Sequence, residues 1–130
     1  MNIEDLTIKQ ARELAAMFGG NSSVSSPKPS YPTNQMIGEY VIVRCRDAGV
    51  HAGILISAAE RGCFLKNARR LWYWKPAKGA FLSGVAVHGL HSSSKVGTPI
   101  DIALTENCEV IKVSKEAENS IKGATDYEPN

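Results

Sequence analysis

The feature that most constrains this chain is a change in the spacing of its apolar residues near Ile37. Upstream of that point the apolar residues recur at helical spacing. Downstream they alternate with polar residues in short runs that end at turn residues. Alternation of this kind is typical of half-buried β-strands. The chain after Ile37 is therefore predicted to be mainly β.

Five short strands follow from this alternation. They are predicted at residues 40–46, 50–57, 63–68, 100–104 and 109–113. Gly53 lies inside the second of them, which predicts a sharp bend or a close approach of another backbone segment. Short strands joined by tight turns predict a small SH3-like or Sm-like barrel, and an OB-type barrel has the same strand count.

An amphipathic N-terminal helix is predicted at residues 1–19. Thr7 and Gln10 have the spacing of a capping box. Residues 20–35 are rich in serine and proline, which predicts an extended linker and makes the helix a tethered one. A short tethered helix and a sheet with open edges both need packing partners, so we expect a homo-oligomer.

Residues 81–90 are ambiguous. Ser83 as a cap and Gly89 as a stop favour a short helix, whereas Gly84 opposes it by about 1 kcal/mol.

The C-terminal part of the chain is predicted to end in a short helix. Ser114 is expected to cap this helix, with Ala117 and Ile121 facing inward. The β-barrel domain, with this helix, is therefore expected at residues 36–123. Residues 124–130 are predicted to form a flexible tail.

Residues 61–80 combine both tryptophans with several arginines and lysines and contain no acidic residue. This composition fits a surface that stacks on a planar group and neutralises an anion. In a strand, Trp72 and Trp74 would share one face. The alternative interpretation buries these rings in a small core and leaves the arginines in solvent. The candidate ligand-binding residues of the stretch are Arg69, Arg70, Trp72, Trp74 and Lys75.

His51 is a further candidate ligand-binding residue. It alternates with Val50 and Ala52 and has glycines nearby, so that a ligand or a backbone segment can approach it. A hydrogen-bonded structural histidine is the alternative. His88 and His91 are three residues apart, but no cysteine or acid nearby in sequence completes a ligand set, so no metal site is predicted.

The cysteines and the common catalytic patterns indicate whether the chain is an enzyme. Cys45, Cys63 and Cys108 stand far apart and are odd in number, which favours reduced, buried thiols. No Ser-His-Asp spacing, phosphate-binding loop or paired carboxylate pattern stands out. The chain is therefore predicted to have no catalytic residues and no cofactor, and not to be an enzyme.

Overall charge and hydropathy limit the classes of function only broadly. The formal net charge of +2 is too small to indicate nucleic-acid binding by itself, so the basic stretch is a local feature. A hydrophobic content of 43% is enough for one packed domain. No apolar run is long enough to cross a bilayer, and the first residues are polar, so neither a membrane span nor a secretory signal is predicted.

Three segments carry a resemblance to known proteins. The sequences IGEYVIVR, AGVHAG and LKNARRLWYW resemble a family of small phage and prophage proteins with no assigned function. The likeness extends from about Ile37 to Gly123. The segment HAGILISAAERGCFLKNA is also similar to the second and third strands of an Sm barrel, which implies a ring-forming binding module. The family likeness implies no active site.

These observations lead to three functional hypotheses. The first is a non-catalytic, oligomeric phage module in the host cytoplasm that holds a nucleotide, a cyclic nucleotide signal or a short nucleic acid. Such a module would sequester a host defence signal or accompany nucleic acid. The second is a structural component of the virion or of its assembly, with virion proteins as partners. The third is an enzyme of unknown class.

Overall fold

Within residues 31–129, the longest strand, β3 (Cys63–Tyr73), lies in one antiparallel sheet. The structure, a computed structural model, describes residues 31–129, so the helix predicted at residues 1–19 lies outside the described residues. The other strands are β1 (Tyr40–Cys45), β2 (Val50–Ala58), β4 (Lys95–Val96), β5 (Ile100–Leu104) and β6 (Asn107–Lys112). The helices are α1 (Phe81–His88) and α2 (Lys115–Gly123), and a 3₁₀-helix spans Pro32–Met36.

The strand order is β4–β3–β2–β1–β6, and β5 also pairs with β3. β5 and β6 therefore lie at opposite edges of the sheet, although only Thr105 and Glu106 connect them. In a flat sheet these edges would be separated by four spacings of about 4.8 Å, which so short a connection cannot span. The sheet must therefore curl.

Curling does not close the sheet. Within residues 31–129, β5 pairs with β3 and β6 pairs with β1, and the two do not pair with each other. The mainly β prediction is confirmed, but the sheet stays open where an SH3-like or Sm-like barrel was expected. The reason is that the two consecutive strands β5 and β6 diverge to different partners after their short connection.

A bulge in β3 brings β2 and β3 unusually close. The register shifts between Ala52 and Ile54, and Asn67 adopts a positive φ of 53°. An ideal Cβ built on Gly53 would lie 2.8 Å from the Cα of Ala68, closer than a side chain tolerates. The close backbone approach predicted for Gly53 is therefore confirmed.

The sheet buries side chains on both faces. The cluster that includes residues of α1 and α2 consists of Tyr40, Ile42, Ala52, Leu71, Leu82, Val85, Ala86, Val96 and Ile121. The second cluster consists of Val41, Val43, Cys45, Leu55, Cys63, Leu65, Ala68 and Leu104. β1 contributes alternate residues to both clusters, which explains why it is apolar almost throughout.

Helix α1 forms at the ambiguous residues 81–90 despite Gly84. A Cβ at Gly84 would lie 2.9 Å from the carbonyl oxygen of Lys78, so the preceding loop packs where only glycine fits. The residue before the helix is Ala80, which provides no side-chain cap, so the expected Ser83 cap is not formed. Gly89 follows the helix with a φ of 91°, as predicted for its end.

Helix α2 agrees closely with its prediction. The hydroxyl of Ser114 accepts a hydrogen bond from the N–H of Ala117 at 3.0 Å, and Ala117 and Ile121 are buried. On its outer side Lys122 pairs with Glu118. No helix in the part of the chain that the structure describes is long and apolar enough to cross a membrane.

Both ends of the described chain are more ordered than expected. The 3₁₀-helix Pro32–Met36 overlaps the predicted linker, because a proline in the first turn presets the required φ and Met36 packs against the second core cluster. Residues 124–129, here called the C-terminal tail, were expected to be loose. Instead, Asp126 forms a parallel bridge with Val96, and the N–H of Tyr127 donates to the carbonyl of Val96 at 2.8 Å.

Candidate functional site

Trp72 projects from β3 with 65% of its surface exposed. Its ring lies beside the ring of Tyr127 in the C-terminal tail, with 5.3 Å between the centroids and 38° between the planes. Aromatic pairs at this separation attract each other by about 0.5–1.5 kcal/mol beyond their buried area. Strand and tail together therefore present two neighbouring aromatic rings to solvent.

Lys95 places a cation at this aromatic pair. Its Nζ lies 5.3 Å from the ring centroid of Trp72, 5.2 Å from that of Tyr127 and 5.9 Å from that of Tyr73. The pairing of β4 with β3 sets this position, because Lys95 is opposite Tyr73 in the register. An ammonium group within about 6 Å of aromatic rings is held by cation–π attraction. Lys95 is therefore a cation fixed beside exposed rings.

A groove of about 260 Å³ lies between these groups, and we call it the Trp72 groove. It is lined by Arg70, Trp72, Lys95, Val96, Gly97, Tyr127 and Pro129. Two cations and two aromatic rings line it, and no acidic residue does. The groove can therefore receive a flat, apolar ring against Trp72, with the cationic side chains Arg70 and Lys95 among its lining residues.

The bulge at Asn67 decides which side chains of β3 reach the groove. After the bulge, Arg70 and Trp72 alternate with Arg69 and Leu71, and side chains on a strand alternate between faces. Leu71 packs into the helix-covered core, so Arg69 faces the same side. Arg70 and Trp72 face the opposite, exposed side.

Arg69 is buried, with only 2% of its surface exposed. Its guanidinium donates to the carbonyls of Gly97 and Ala124 and pairs with Asp126. The expectation that Arg69 is a solvated cation free to contact a ligand is therefore wrong. The physical reason is that α2 ends with unpaired carbonyls, which the guanidinium satisfies from within.

Trp74 and Lys75 lie away from the groove. β3 ends at Tyr73, so strand alternation no longer applies to Trp74, which is half-buried against the helix-side core. The prediction that Trp72 and Trp74 share one face is therefore wrong. Lys75 is exposed in the following segment, where its N–H donates to the hydroxyl of Ser94 at 3.0 Å.

His51 is also outside the groove. It is 1% exposed, and its Nε2 donates to the carbonyl of Ala48 at 2.9 Å. Burial lowers the pKa of His51 below its usual range, and the charge of Arg70 across the strand pair lowers it further, against the opposing effect of the hydrogen bond. The structural interpretation of His51 fits these contacts, and direct access for a ligand does not.

The structure therefore brings together two of the six sequence candidates, Arg70 and Trp72. Lys95 and Tyr127, which complete the groove, were missed. Lys95 lies on a two-residue strand that leaves no alternation pattern. The only signal for Tyr127 was a single aromatic residue in an otherwise polar segment.

The cysteines are not all buried. Cys45 and Cys63 are buried, as expected, whereas Cys108 is exposed, so the prediction of three buried thiols is wrong. The pairing of β1 with β6 shifts register next to Cys45, which pairs with Asn107 and leaves Cys108 out of the ladder. Burial raises the pKa of Cys45, and it raises that of Cys63 to about 11.

No group of three or more potential metal ligands gathers within residues 31–129.

The family model of a domain of unknown function, DUF6948, matches residues 38–121, which is more than half of the chain. This match covers the structure from β1 into α2, and the C-terminal tail lies beyond it. Comparisons with curated proteins and with solved structures found no match.

Proposed function

This chain belongs to the DUF6948 family, and from its own geometry we propose that it is a non-catalytic binding module for a nucleotide-class ligand. In this proposal a base stacks on Trp72 beside Tyr127. Its phosphate is neutralised by Arg70 and Lys95.

The observation that carries this proposal is the exposure of Trp72 next to Lys95 and Tyr127. Two neighbouring exposed aromatic rings, with two cations and no acid in the groove lining, have the composition of a surface on which bases stack. Stacking of one base on an aromatic side chain contributes about 1–3 kcal/mol to binding, whatever the base. Cations beside the rings add an attraction that depends on salt.

Groove size favours one form of the ligand. At about 260 Å³ the groove is smaller than the roughly 300–1,000 Å³ typical of sites that enclose a small molecule. It also lies open on the surface, between a strand and the tail. We therefore favour single-stranded nucleic acid, of which one base enters the groove while its neighbours remain outside, over an enclosed mononucleotide or cyclic nucleotide.

A fluorescence titration tests this function. In a Trp74→Phe background only Trp72 reports, and an oligothymidylate of about 10 nucleotides should quench it. For a single strand, each phosphate neutralised contributes about −0.7 to the slope of log affinity against log salt, so Arg70→Ala should flatten that slope by about 0.7.

Lys66→Ala is the matched control, because Lys66 is exposed on β3 but does not line the groove. It should keep the slope of the parent. Mononucleotides and cyclic nucleotides titrated in parallel should bind more weakly than the oligonucleotide. If neither the oligonucleotide nor any nucleotide quenches Trp72 at millimolar concentration, the proposed function fails.

The biological setting is part of the same proposal and rests on the sequence resemblance to phage and prophage proteins. In an infected host cell the module would accompany single-stranded nucleic acid or sequester a nucleotide defence signal. Homo-oligomerisation stays a prediction, and light scattering at tens of micromolar tests it. Finding the chain in stoichiometric amounts in purified virions would instead support the structural role.

A further inference from the structure

Arg69 ties the sheet to the end of helix α2 and to the C-terminal tail. It is a buried side chain that makes five hydrogen bonds. Its Nε donates to Gly97, its Nη1 donates to the carbonyls of Ile121, Lys122 and Ala124, and its Nη2 donates to the carboxylate of Asp126. One side chain therefore fixes the segment that follows α2.

The tail continues from this anchor directly into the Trp72 groove. Asp126 also accepts a hydrogen bond from the hydroxyl of Thr98 at 3.0 Å. The next residue, Tyr127, donates its N–H to Val96 and places its ring against Trp72. The position of the Tyr127 ring is therefore set one residue away from the carboxylate that Arg69 holds.

We infer that Arg69 is a positioning residue for the Trp72 groove, acting through Asp126 to hold Tyr127 in place. This inference rests on the proposed function and names the contact on which the geometry of that site depends. Adjacent arginines then divide two tasks across the strand, since Arg70 faces the groove while Arg69 holds the tail that carries Tyr127 from the buried side. By linkage, a ligand that contacts both rings must in turn stabilise the docked tail.

Asp126→Ala tests the inference in the full chain, because it removes the contacts of the Asp126 carboxylate with Arg69 and Thr98 while leaving Arg69 bonded to the carbonyls. Glu128→Ala is the matched control. It removes one carboxylate from the same tail, and Glu128 forms no ion pair within the described residues and does not line the groove. A purely electrostatic effect of losing an acid would strengthen binding of the oligothymidylate in both variants.

If Arg69 positions Tyr127 through Asp126, the two variants should differ in their affinity for the oligothymidylate. Asp126→Ala should weaken oligothymidylate binding by about 5-fold or more, the loss of one stacking contact, and Glu128→Ala should not weaken it. In a double-mutant cycle, Asp126→Ala should cost little further affinity once Tyr127→Ala is present. Equal effects of the two acidic substitutions, or additive effects in the cycle, would overturn the inference.

A measurement without ligand separates this inference from the proposed function. Asp126→Ala should speed amide exchange at Tyr127, whose N–H is bonded to Val96, and should shift the emission of Trp72, while Glu128→Ala should change neither. If no probe binds the parent protein, the proposed function fails. The amide exchange of Tyr127 and the emission of Trp72 still decide whether Arg69 and Asp126 hold Tyr127 in place. Unchanged exchange and emission in Asp126→Ala would overturn the inference by themselves.

Discussion

Trp72 and Tyr127 stand with their ring centroids 5.3 Å apart, although one belongs to the central part of the chain and the other to its C-terminal tail. The contact exists because β3 exposes Trp72 and because Arg69 and Val96 hold the tail beside it. The candidate site is therefore a tertiary feature, and its two aromatic walls can be tested separately from the core.

Substitution of each tryptophan should separate surface from core. Trp72→Ala should lower the free energy of unfolding by less than about 1 kcal/mol, because the side chain is mostly exposed, while binding falls by about 1–3 kcal/mol. Trp74→Ala should destabilise the fold by about 1–3 kcal/mol, less than a fully buried aromatic, because Trp74 packs partly against the core. Urea unfolding and oligonucleotide titration of both variants check this, and similar stability losses would contradict it.

Substitution of each neighbouring arginine should have unequal effects on stability. Arg69→Ala leaves several carbonyls and the partly exposed Asp126 without their partner, so the free energy of unfolding should fall by about 2 kcal/mol or more. Arg70→Ala removes an exposed cation and should change it by less than about 0.5 kcal/mol. Denaturant unfolding of the two variants measures the difference, and equal losses would show that the burial of Arg69 is not realised in solution.

These two arginines also show how far the sequence could be used for prediction. Five of the six strands within residues 31–129, the close approach at Gly53 and the capped helix after Ser114 follow from local spacing, which a sequence displays directly; the two-residue β4 does not. The choice between Arg69 and Arg70 does not, because the bulge at Asn67 shifts the alternation and no local pattern marks it. Tail docking was missed for a related reason, since it depends on Arg69, which lies 57 residues before Asp126 in the sequence.

Thiol reactivity should follow exposure. One thiol of the three, that of Cys108, should react rapidly with a thiol reagent in the native protein, because it is exposed while Cys45 and Cys63 are buried with raised pKa values. Mass spectrometry of the labelled protein should therefore find one fast modification, and Cys108→Ser should remove it. Fast labelling of Cys45 without denaturant would contradict the packing of the second core cluster.

Acid should destabilise the fold through His51. Burial lowers its folded-state pKa below the ordinary 6.5, so the folded state binds fewer protons than the unfolded state. The stability that His51 contributes is thus fully present above pH 6.5 and is lost as the pH falls through the folded-state pKa. Between neutral pH and about pH 5, His51→Gln should lose less of its free energy of unfolding than the parent does. His91→Gln, at an exposed histidine, is the control and should behave as the parent.

Alkali should act through Tyr40, whose hydroxyl is buried and has no hydrogen-bond partner among the described residues. Burial raises its pKa from 10.0 to about 12, with Arg69 acting in the opposite direction and Glu118 adding to the rise. The folded state therefore holds this proton more tightly. The associated stability is complete below pH 10 and is lost as the pH rises through about 12.

Tyr40→Phe keeps the ring, over which the Nζ of Lys122 lies at 5.4 Å, and removes only the unpartnered hydroxyl. We expect its free energy of unfolding at neutral pH to equal that of the parent or to exceed it by up to about 1 kcal/mol, because no hydrogen bond is lost. Between pH 10 and 12 it should lose less stability than the parent, by about 2 kcal/mol for a shift of this size. Tyr73→Phe, at an exposed tyrosine, controls for the general effect of alkali. A loss of more than about 1 kcal/mol in Tyr40→Phe at neutral pH would mean that the hydroxyl is hydrogen-bonded in the folded protein.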